Sequence, residues 1–155
     1  MEEVQERFNA LDEIKQFIIK DALELNTTNT ILNTTRAEMR EHIMNAFDEL
    51  ELTDEQKESY GLKLAEYRCV CELDDFKPNN YVRWIRLDDP ERKLNKGGII
   101  ASATIQKEDV YVLCRIYVTK TRHLFITVKG SEAIFFQNFN DTEKILLSAM
   151  EYLNK

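Results

Sequence analysis

The spacing of apolar residues changes from about 3.6 residues to two near Pro78, and this change constrains the fold more than any other feature of the sequence. Before Pro78, apolar residues recur every three or four positions, as on one face of an amphipathic helix. After it, apolar and polar residues alternate, as along a half-buried strand. Helices that precede the strands, rather than alternate with them, predict an α+β protein.

Three helices are predicted in the first half of the chain. The first spans about six turns from Val4 to Leu25. Thr35-x-x-Glu38 and Thr53-x-x-Gln56 each have the form of a capping box, so they predict the starts of a second and a third helix. The apolar faces of these two helices are Met39, Ile43, Ala46, Phe47 and Leu50 on the second, and Tyr60, Leu64, Tyr67 and Cys71 on the third.

Five strands are predicted in the second half. They cover residues 81–87, 99–106, 110–118, 124–128 and 132–139. Ile99, Ala101, Ala103 and Ile105 would face the core from the second strand, after a bend at Gly97 and Gly98. Short strands joined by tight loops predict a small, strongly bent antiparallel sheet, either SH3-like or otherwise barrel-like.

Asn140-x-x-Glu143 predicts the start of a C-terminal helix. Together these elements predict two domains. Residues 1–76 would form an acidic helical arm, and residues 77–155 a basic small sheet domain with the terminal helix.

The composition excludes several classes of enzyme. Four glycines in 155 residues cannot build a glycine-rich phosphate loop, a dinucleotide fingerprint or a nucleophile elbow. The two histidines, His42 and His123, lie beside no nucleophile motif, so both are interpreted as surface residues. We therefore expect a protein that is not an enzyme and that has no cofactor.

Cysteine spacing bears on metal binding. Cys69, Cys71, Cys114 and His123 could supply four zinc ligands, but zinc sites normally begin with two to four residues between the first two cysteines. Only one residue separates Cys69 from Cys71. We therefore predict no metal site and interpret the thiols as buried or inert.

The net charge of −7 is the sum of two unlike halves. Residues 1–76 carry 8 Lys and Arg against 19 Asp and Glu, whereas residues 77–155 carry 13 against 9. Within 77–131 the balance is 11 against 5. The sheet could bind an anionic partner through this charge, or the two halves could simply attract each other.

Strand pairing predicts a binding surface. If inward residues pair with inward residues across the turn at 119–121, Cys114 lies opposite Ile126. The outward face then carries the predicted binding residues Tyr111, Arg115, Tyr117, His123, Phe125 and Lys129. Such a face can stack bases and hold phosphates, or it can be covered by a helix of the same chain.

The first helix offers a second surface. Val4, Leu11, Ile18 and Leu25 recur every seven residues with Phe8 beside them, a pattern that could form a coiled-coil seam. These five are the predicted partner-docking residues. The same stripe could instead pack on the second and third helices, and both a homo-oligomer and a docked protein partner remain open.

No apolar run approaches the ~20 residues of a membrane span, and no signal peptide is predicted, so we expect an intracellular, cytoplasmic protein with no membrane association. The run Lys77-Pro78-x-x-Tyr81-Val82-Arg83-Trp84-Ile85, followed by Gly97-Gly98-Ile99-Ile100 and Ile134-Phe135-Phe136-Gln137, resembles uncharacterised small proteins of large nucleocytoplasmic DNA viruses. The resemblance covers the second half only. It implies a structural or genome-associated component of a virus particle or of its cytoplasmic factory.

The sequence thus predicts a non-enzymatic interaction or assembly protein. The alternative is a nucleic-acid-binding module that uses the outward face of the sheet.

Overall fold

A six-stranded antiparallel sheet organises the part of the chain that the computed structural model describes, residues 35–153. The helices in this range are α1 (Arg36–Glu49), α2 (Asp54–Lys63) and α3 (Asp141–Leu153). The strands are β1 (Tyr67–Val70), β2 (Tyr81–Arg86), β3 (Gly98–Gln106), β4 (Asp109–Tyr117), β5 (His123–Lys129) and β6 (Ala133–Asn138). The α+β class, the antiparallel sheet and the C-terminal helix are therefore confirmed.

The strand order is β1-β6-β2-β3-β4-β5. The β2-β3-β4-β5 run follows the chain, and β6 then returns to pair with β2. In a flat sheet β5 and β6 would lie about 19 Å apart, since four strand spacings separate them. The four Cα steps from Lys129 to Ala133 span at most about 14 Å, so the sheet must bend. Val128 and Phe135 accordingly share one core cluster.

The expected count of five strands was wrong, because the described residues contain a sixth strand, β1. The third helix was expected to continue through Tyr67 and Cys71, but α2 ends at Lys63 and Leu64 forms its C-cap. Tyr67–Val70 instead pairs with β6, from Tyr67 opposite Asn138 to Val70 opposite Phe135. Four residues are too few to distinguish a helical from a strand period, so the distant partner decides. The sheet is open, with β1 and β5 at its edges.

The two predicted domains, residues 1–76 and 77–155, stay a prediction, because residues 1–34 lie outside the described range. Within that range, residues 39–138 form one compact unit, and residues 35–38 and 139–153 belong to a second. In the second unit, Arg36 forms an ion pair with Glu151 (Nε to Oε1, 2.8 Å) and lies over the Phe139 ring. Asn140 and Glu143 form the predicted capping box.

The larger unit has two apolar layers, one on each side of the sheet. One cluster, around Trp84, Ile100, Val112 and Phe135, fills the concave side of the bent sheet. The other packs α1 and α2 on β1, β6 and β2, with Phe47 against Phe136 at a ring-centroid distance of 6.0 Å. Four of the five apolar residues predicted on the second helix lie in this cluster, namely Ile43, Ala46, Phe47 and Leu50, and the fifth, Met39, is also buried.

A β-bulge changes which residues of β3 face the core. The register shifts between Ile100 and Ser102, so Ala101 is the extra residue. Before the bulge Ile100 is buried and pairs with Cys114, whereas Ile99 pairs with Arg115 on the opposite face. The prediction that Ile99 and Ala101 face the core was therefore wrong, because one inserted residue reverses the alternation.

Candidate functional site

The surface that brings together all six predicted binding residues is the outward side of the β4–β5 hairpin. Its cross-strand pairs are Tyr111 with Lys129, Leu113 with Thr127, Arg115 with Phe125, and Tyr117 with His123. The predicted register is confirmed at every one of these pairs, and Cys114 lies opposite Ile126 as expected. We call these eight outward residues the hairpin face.

Three aromatic rings cluster at the turn end of the hairpin face. His123 lies between Tyr117 and Phe125, at ring-centroid distances of 6.1 and 5.5 Å, with edge-to-face geometry on both sides. Tyr117 is 54% exposed and Phe125 55%. Exposed apolar side chains that form a contiguous patch, unlike single ones, are typical of interaction surfaces.

Arg115 supplies a positive charge to the same cluster. Its guanidinium carbon lies 5.3 Å from the centroid of the Tyr117 ring, within cation–π range. On the sheet it is flanked by Ile99 on β3 and Phe125 on β5. The Nε atom is buried and makes no hydrogen bond, and no carboxylate of residues 35–153 forms an ion pair with Arg115. Packing thus holds the side chain in place, while no carboxylate in the described part of the chain neutralises its charge.

A second basic and aromatic pair lies at the far end of the hairpin face. Lys129 Nζ is 5.6 Å from the centroid of the Tyr111 ring. Glu132 approaches Lys129 only to 4.0 Å, a separation at which an exposed pair contributes little. Tyr111 and Tyr117 are six positions apart, about 20 Å along β4.

Within residues 39–138, the helices cover a different part of the same side of the sheet. The convex side of β1, β6 and β2 is covered by α1 and α2, which contact Phe136, Ile85 and Ile134. Tyr81 pairs with Ile99, and Ile99 with Arg115, so the hairpin face continues the same side of the sheet beyond the helices. Two alternatives were predicted for this face: free to bind, or covered by a helix of the same chain. Within the larger unit, the exposure of Tyr117, His123 and Phe125 agrees with the first.

Charge is concentrated around this face. Between residues 109 and 131 the chain carries four basic residues, Arg115, Lys120, Arg122 and Lys129, and a single acidic one, Asp109. Asp109 accepts hydrogen bonds from Ser131 Oγ and from the backbone N–H of Val110, and these bonds lower its pKa. The hairpin is therefore locally basic in a protein that is acidic overall.

The three thiols and His123, which could have formed a zinc site, do not come together. Cys114 faces the concave core, Cys69 faces the helices, and His123 lies at the turn end of the hairpin face. Burial raises the pKa of Cys114 to about 12 and that of Cys69 to about 11, so both thiols are protonated at neutral pH. His42 and His123 are both exposed, as predicted.

Sequence reasoning missed a cavity of about 520 Å³ beside β1. Its lining includes His42 and Glu49 from α1 and Cys69 from β1. Cys71, just after β1, and Ser131 also line it. These residues are up to about 90 positions apart, and no local pattern links them. Among residues 35–153, no three His, Cys, Asp or Glu side chains lie close enough together to hold a metal ion.

The predicted partner-docking residues Val4, Phe8, Leu11, Ile18 and Leu25 lie outside the described residues. No helix within residues 35–153 is long and apolar enough to cross a membrane.

Comparison of the chain with protein-family models, with curated proteins and with solved structures finds no match in any of the three.

Proposed function

We propose that this chain is a non-enzymatic binding protein that holds single-stranded nucleic acid on the hairpin face. The observation that carries the proposal is the exposed cluster of Tyr117, His123 and Phe125 beside Arg115, which forms no ion pair within residues 35–153. Exposed aromatic rings on a sheet stack bases, and fixed positive charges beside them contact phosphates.

The dimensions of the face suit a short stretch of one strand. With Arg115 and Lys129 near its two ends, the face offers two phosphate contacts about 14 Å or more apart along the sheet. At about 3.4 Å per stacked nucleotide, the 20 Å from Tyr111 to Tyr117 would accommodate about six nucleotides. Because every base has a face that can stack, the binding would tolerate different sequences.

The broader expectation of an interaction or assembly protein is part of the same proposal, since a strand-binding protein can belong to a larger particle. The resemblance to proteins of large nucleocytoplasmic DNA viruses favours a genome-associated component located in the cytoplasm or the virion. A barrel-like or SH3-like arrangement of β2–β6, with β1 added at the edge, is also proposed. The short β5–β6 connection supports it.

Phe125 and Leu124 make a matched test of the proposal. They are neighbours on β5, 55% and 51% exposed, and they point to opposite faces of the sheet. Loss of one stacked base costs about 1–3 kcal/mol, so Phe125→Ala should weaken binding of a fluorescein-labelled dT12 or rU12 about 5- to 150-fold in fluorescence anisotropy. Leu124→Ala should change it less than about twofold.

Two outcomes would overturn the proposal. One is that the wild-type full chain binds neither oligonucleotide at low salt. The other is that Leu124→Ala weakens binding as much as Phe125→Ala does, since the contact would then not be on the hairpin face. Circular dichroism of both variants separates lost binding from lost folding.

A further inference from the structure

The outer edge of β5 has no neighbouring strand within residues 35–153, because β5 is last in the strand order. Proteins usually protect such an edge with proline, a bulge, charged side chains or short length. β5 is seven residues long and contains no proline, and Lys129 at its end is its only Lys, Arg, Asp or Glu. Its pairing with β4 is unbroken by a bulge. The sequence of β5 therefore does little to prevent the addition of another strand.

The backbone of β5 points hydrogen-bonding groups to this edge. The Val118 N–H donates to the Arg122 carbonyl (2.9 Å). Hydrogen-bonded positions alternate along an antiparallel pair, so Leu124 and the even-numbered residues after it bond to β4. Phe125 and Thr127 then point their N–H and C=O groups away from β4. No hydrogen bond within residues 35–153 uses these groups of Phe125 and Thr127.

Apolar side chains lie on both sides of the same edge near the turn. Phe125 is exposed on the hairpin face, and Leu124, its neighbour on β5, is exposed on the concave side. Tyr117 and Val118, at the turn end of β4, are exposed beside them. An added strand would bury apolar surface on both faces while its backbone pairs with the edge.

The charge at this end of β5 is positive. Lys120 and Arg122 lie in the turn beside His123, and residues 110–131 contain no Asp or Glu. A second copy of β5 would bring the same charges, and its Lys129 would lie opposite His123 if the whole strand paired in antiparallel orientation. Carboxylates complement this edge instead, because opposite charges favour association and fix the partner.

From these observations we propose that the β5 edge binds an extended, acidic segment of a partner protein, which adds to the sheet as a further strand. All five strand pairs within the sheet are antiparallel, and we assign the same orientation to this contact. The segment carries apolar side chains towards Leu124 and Phe125 and carboxylates by Arg122 and His123. The contact uses the edge of the hairpin, so it goes beyond the nucleic-acid binding proposed for its face.

A designed peptide tests this contact in the full-length chain, after nuclease treatment so that bound nucleic acid cannot block the edge. The probe is Glu-Val-Thr-Val-Tyr-Val-Glu-Glu with fluorescein at its N-terminus. In antiparallel pairing its threonine lies opposite Thr127, its tyrosine opposite Phe125, and its last two glutamates by His123 and Arg122. Fluorescence anisotropy at low salt should show saturable binding.

Methylation of the peptide backbone distinguishes edge pairing from any other contact. A peptide N-methylated at its threonine and tyrosine loses the two N–H groups that face β5, so it should bind at least about fivefold more weakly. The matched control is N-methylated at the two valines that flank the tyrosine. Their N–H groups point away from β5, so its affinity should stay within about twofold of that of the parent peptide.

Charge reversal tests the preference for acidic segments. Arg122→Glu should weaken binding of the parent peptide at least about twofold, because an attractive pair becomes a repulsive one. A peptide with lysine in place of the last two glutamates should bind Arg122→Glu more tightly than it binds the wild type. Lys96→Glu is the matched control. This exposed residue lies between β2 and β3, so the same change in net charge should leave peptide binding unaltered.

Four results would overturn the proposal: no binding of the parent peptide, equal loss of affinity in the two methylated peptides, equal binding of the parent peptide by Arg122→Glu and the wild type, or self-association that the peptide displaces in sedimentation velocity. The last result would mean that a second copy occupies the edge. Because the probe is a peptide, none of these results depends on whether the hairpin face binds an oligonucleotide.

Discussion

At the scale of single residues, buried polar side chains hold the turn after β1. Arg68 and Gln137 are almost completely buried, opposite each other on β1 and β6. The Gln137 amide donates to the backbone carbonyl of Asp75 (3.0 Å) and accepts from the backbone N–H of Lys77 (2.9 Å). Arg68 also contacts Asp75, with 3.7 Å between Nη1 and Oδ1. The buried Gln137 amide is stable there because both its donor and its acceptor find a backbone partner.

Cys114 gives a prediction for alkaline pH. Its thiol is fully buried, and burial raises its pKa from 9.0 to about 12. Between these values the unfolded chain loses the thiol proton while the folded chain keeps it, so the unfolded state binds fewer protons. The free energy of unfolding should therefore fall as the pH rises from 9 to 12, and urea denaturation at several pH values measures it.

Cys114→Val is the control for this effect, since valine is also apolar and of similar size. Its free energy of unfolding should fall less steeply over the same pH range than that of the wild type. Equal slopes in the two proteins would show that the Cys114 thiol is not the source of the alkaline loss.

At the scale of elements, the helix starts follow directly from local sequence. In α2 the Gln56 N–H donates to Thr53 Oγ1 (3.1 Å), and the Thr53 N–H donates to Gln56 Oε1 (3.0 Å). The predicted capping box is thus confirmed. At Thr35 one half of the predicted box is present, the bond from the Glu38 N–H to Thr35 Oγ1.

The α2 cap can be tested by its removal. Thr53→Ala removes the oxygen that accepts from the Gln56 N–H, so one backbone N–H at the start of α2 is left with a poorer partner, and the free energy of unfolding should fall by about 0.5–2 kcal/mol. Thr53→Ser keeps the accepting oxygen, so it should lower the free energy of unfolding much less. Urea denaturation compares the three proteins. An alanine variant as stable as the wild type would mean that water replaces the cap without cost.

The strands show where local sequence is insufficient. The β4–β5 register was predictable because a short turn joins the two strands and one face of each is apolar. The β1–β6 pair joins residues almost 70 positions apart, and nothing within Tyr67–Val70 indicates that partner. The bulge at Ala101 was equally hidden, since an alanine is compatible with either face of the strand.

At the scale of the whole molecule, the net charge is a poor guide to binding. The chain as a whole has a net charge of −7, but residues 109–131, which include the β4–β5 hairpin, contain four basic residues and one acidic residue. A ligand within a few ångströms of that hairpin responds to the nearby charges, because salt screens those farther away than about 10 Å.

Salt dependence tests this local field. If two to four phosphates are neutralised, the logarithm of the association constant for dT12 should fall with the logarithm of salt concentration at a slope of about −1.4 to −2.8. Arg115→Ala should reduce the slope by about 0.7. Lys57→Ala is the control. Lys57 on α2 already forms an ion pair with Asp48 on α1 (2.7 Å), so its replacement should leave the slope unchanged. If Arg115→Ala does not alter the slope, Arg115 does not contact a phosphate.

Sequence by itself determined the features that depend on near neighbours: the class of fold, the helix caps, the apolar face of α1 and the pairing across the β4–β5 turn. Only the tertiary structure decided which strands became neighbours over long distances, and with them the sixth strand, the bulge and the cavity beside β1. Within residues 39–138 it also decided that α1 and α2 cover one half of the convex side and do not cover the hairpin face. Exposure is a property of packing between distant segments, so the pattern of residues within a strand cannot specify it.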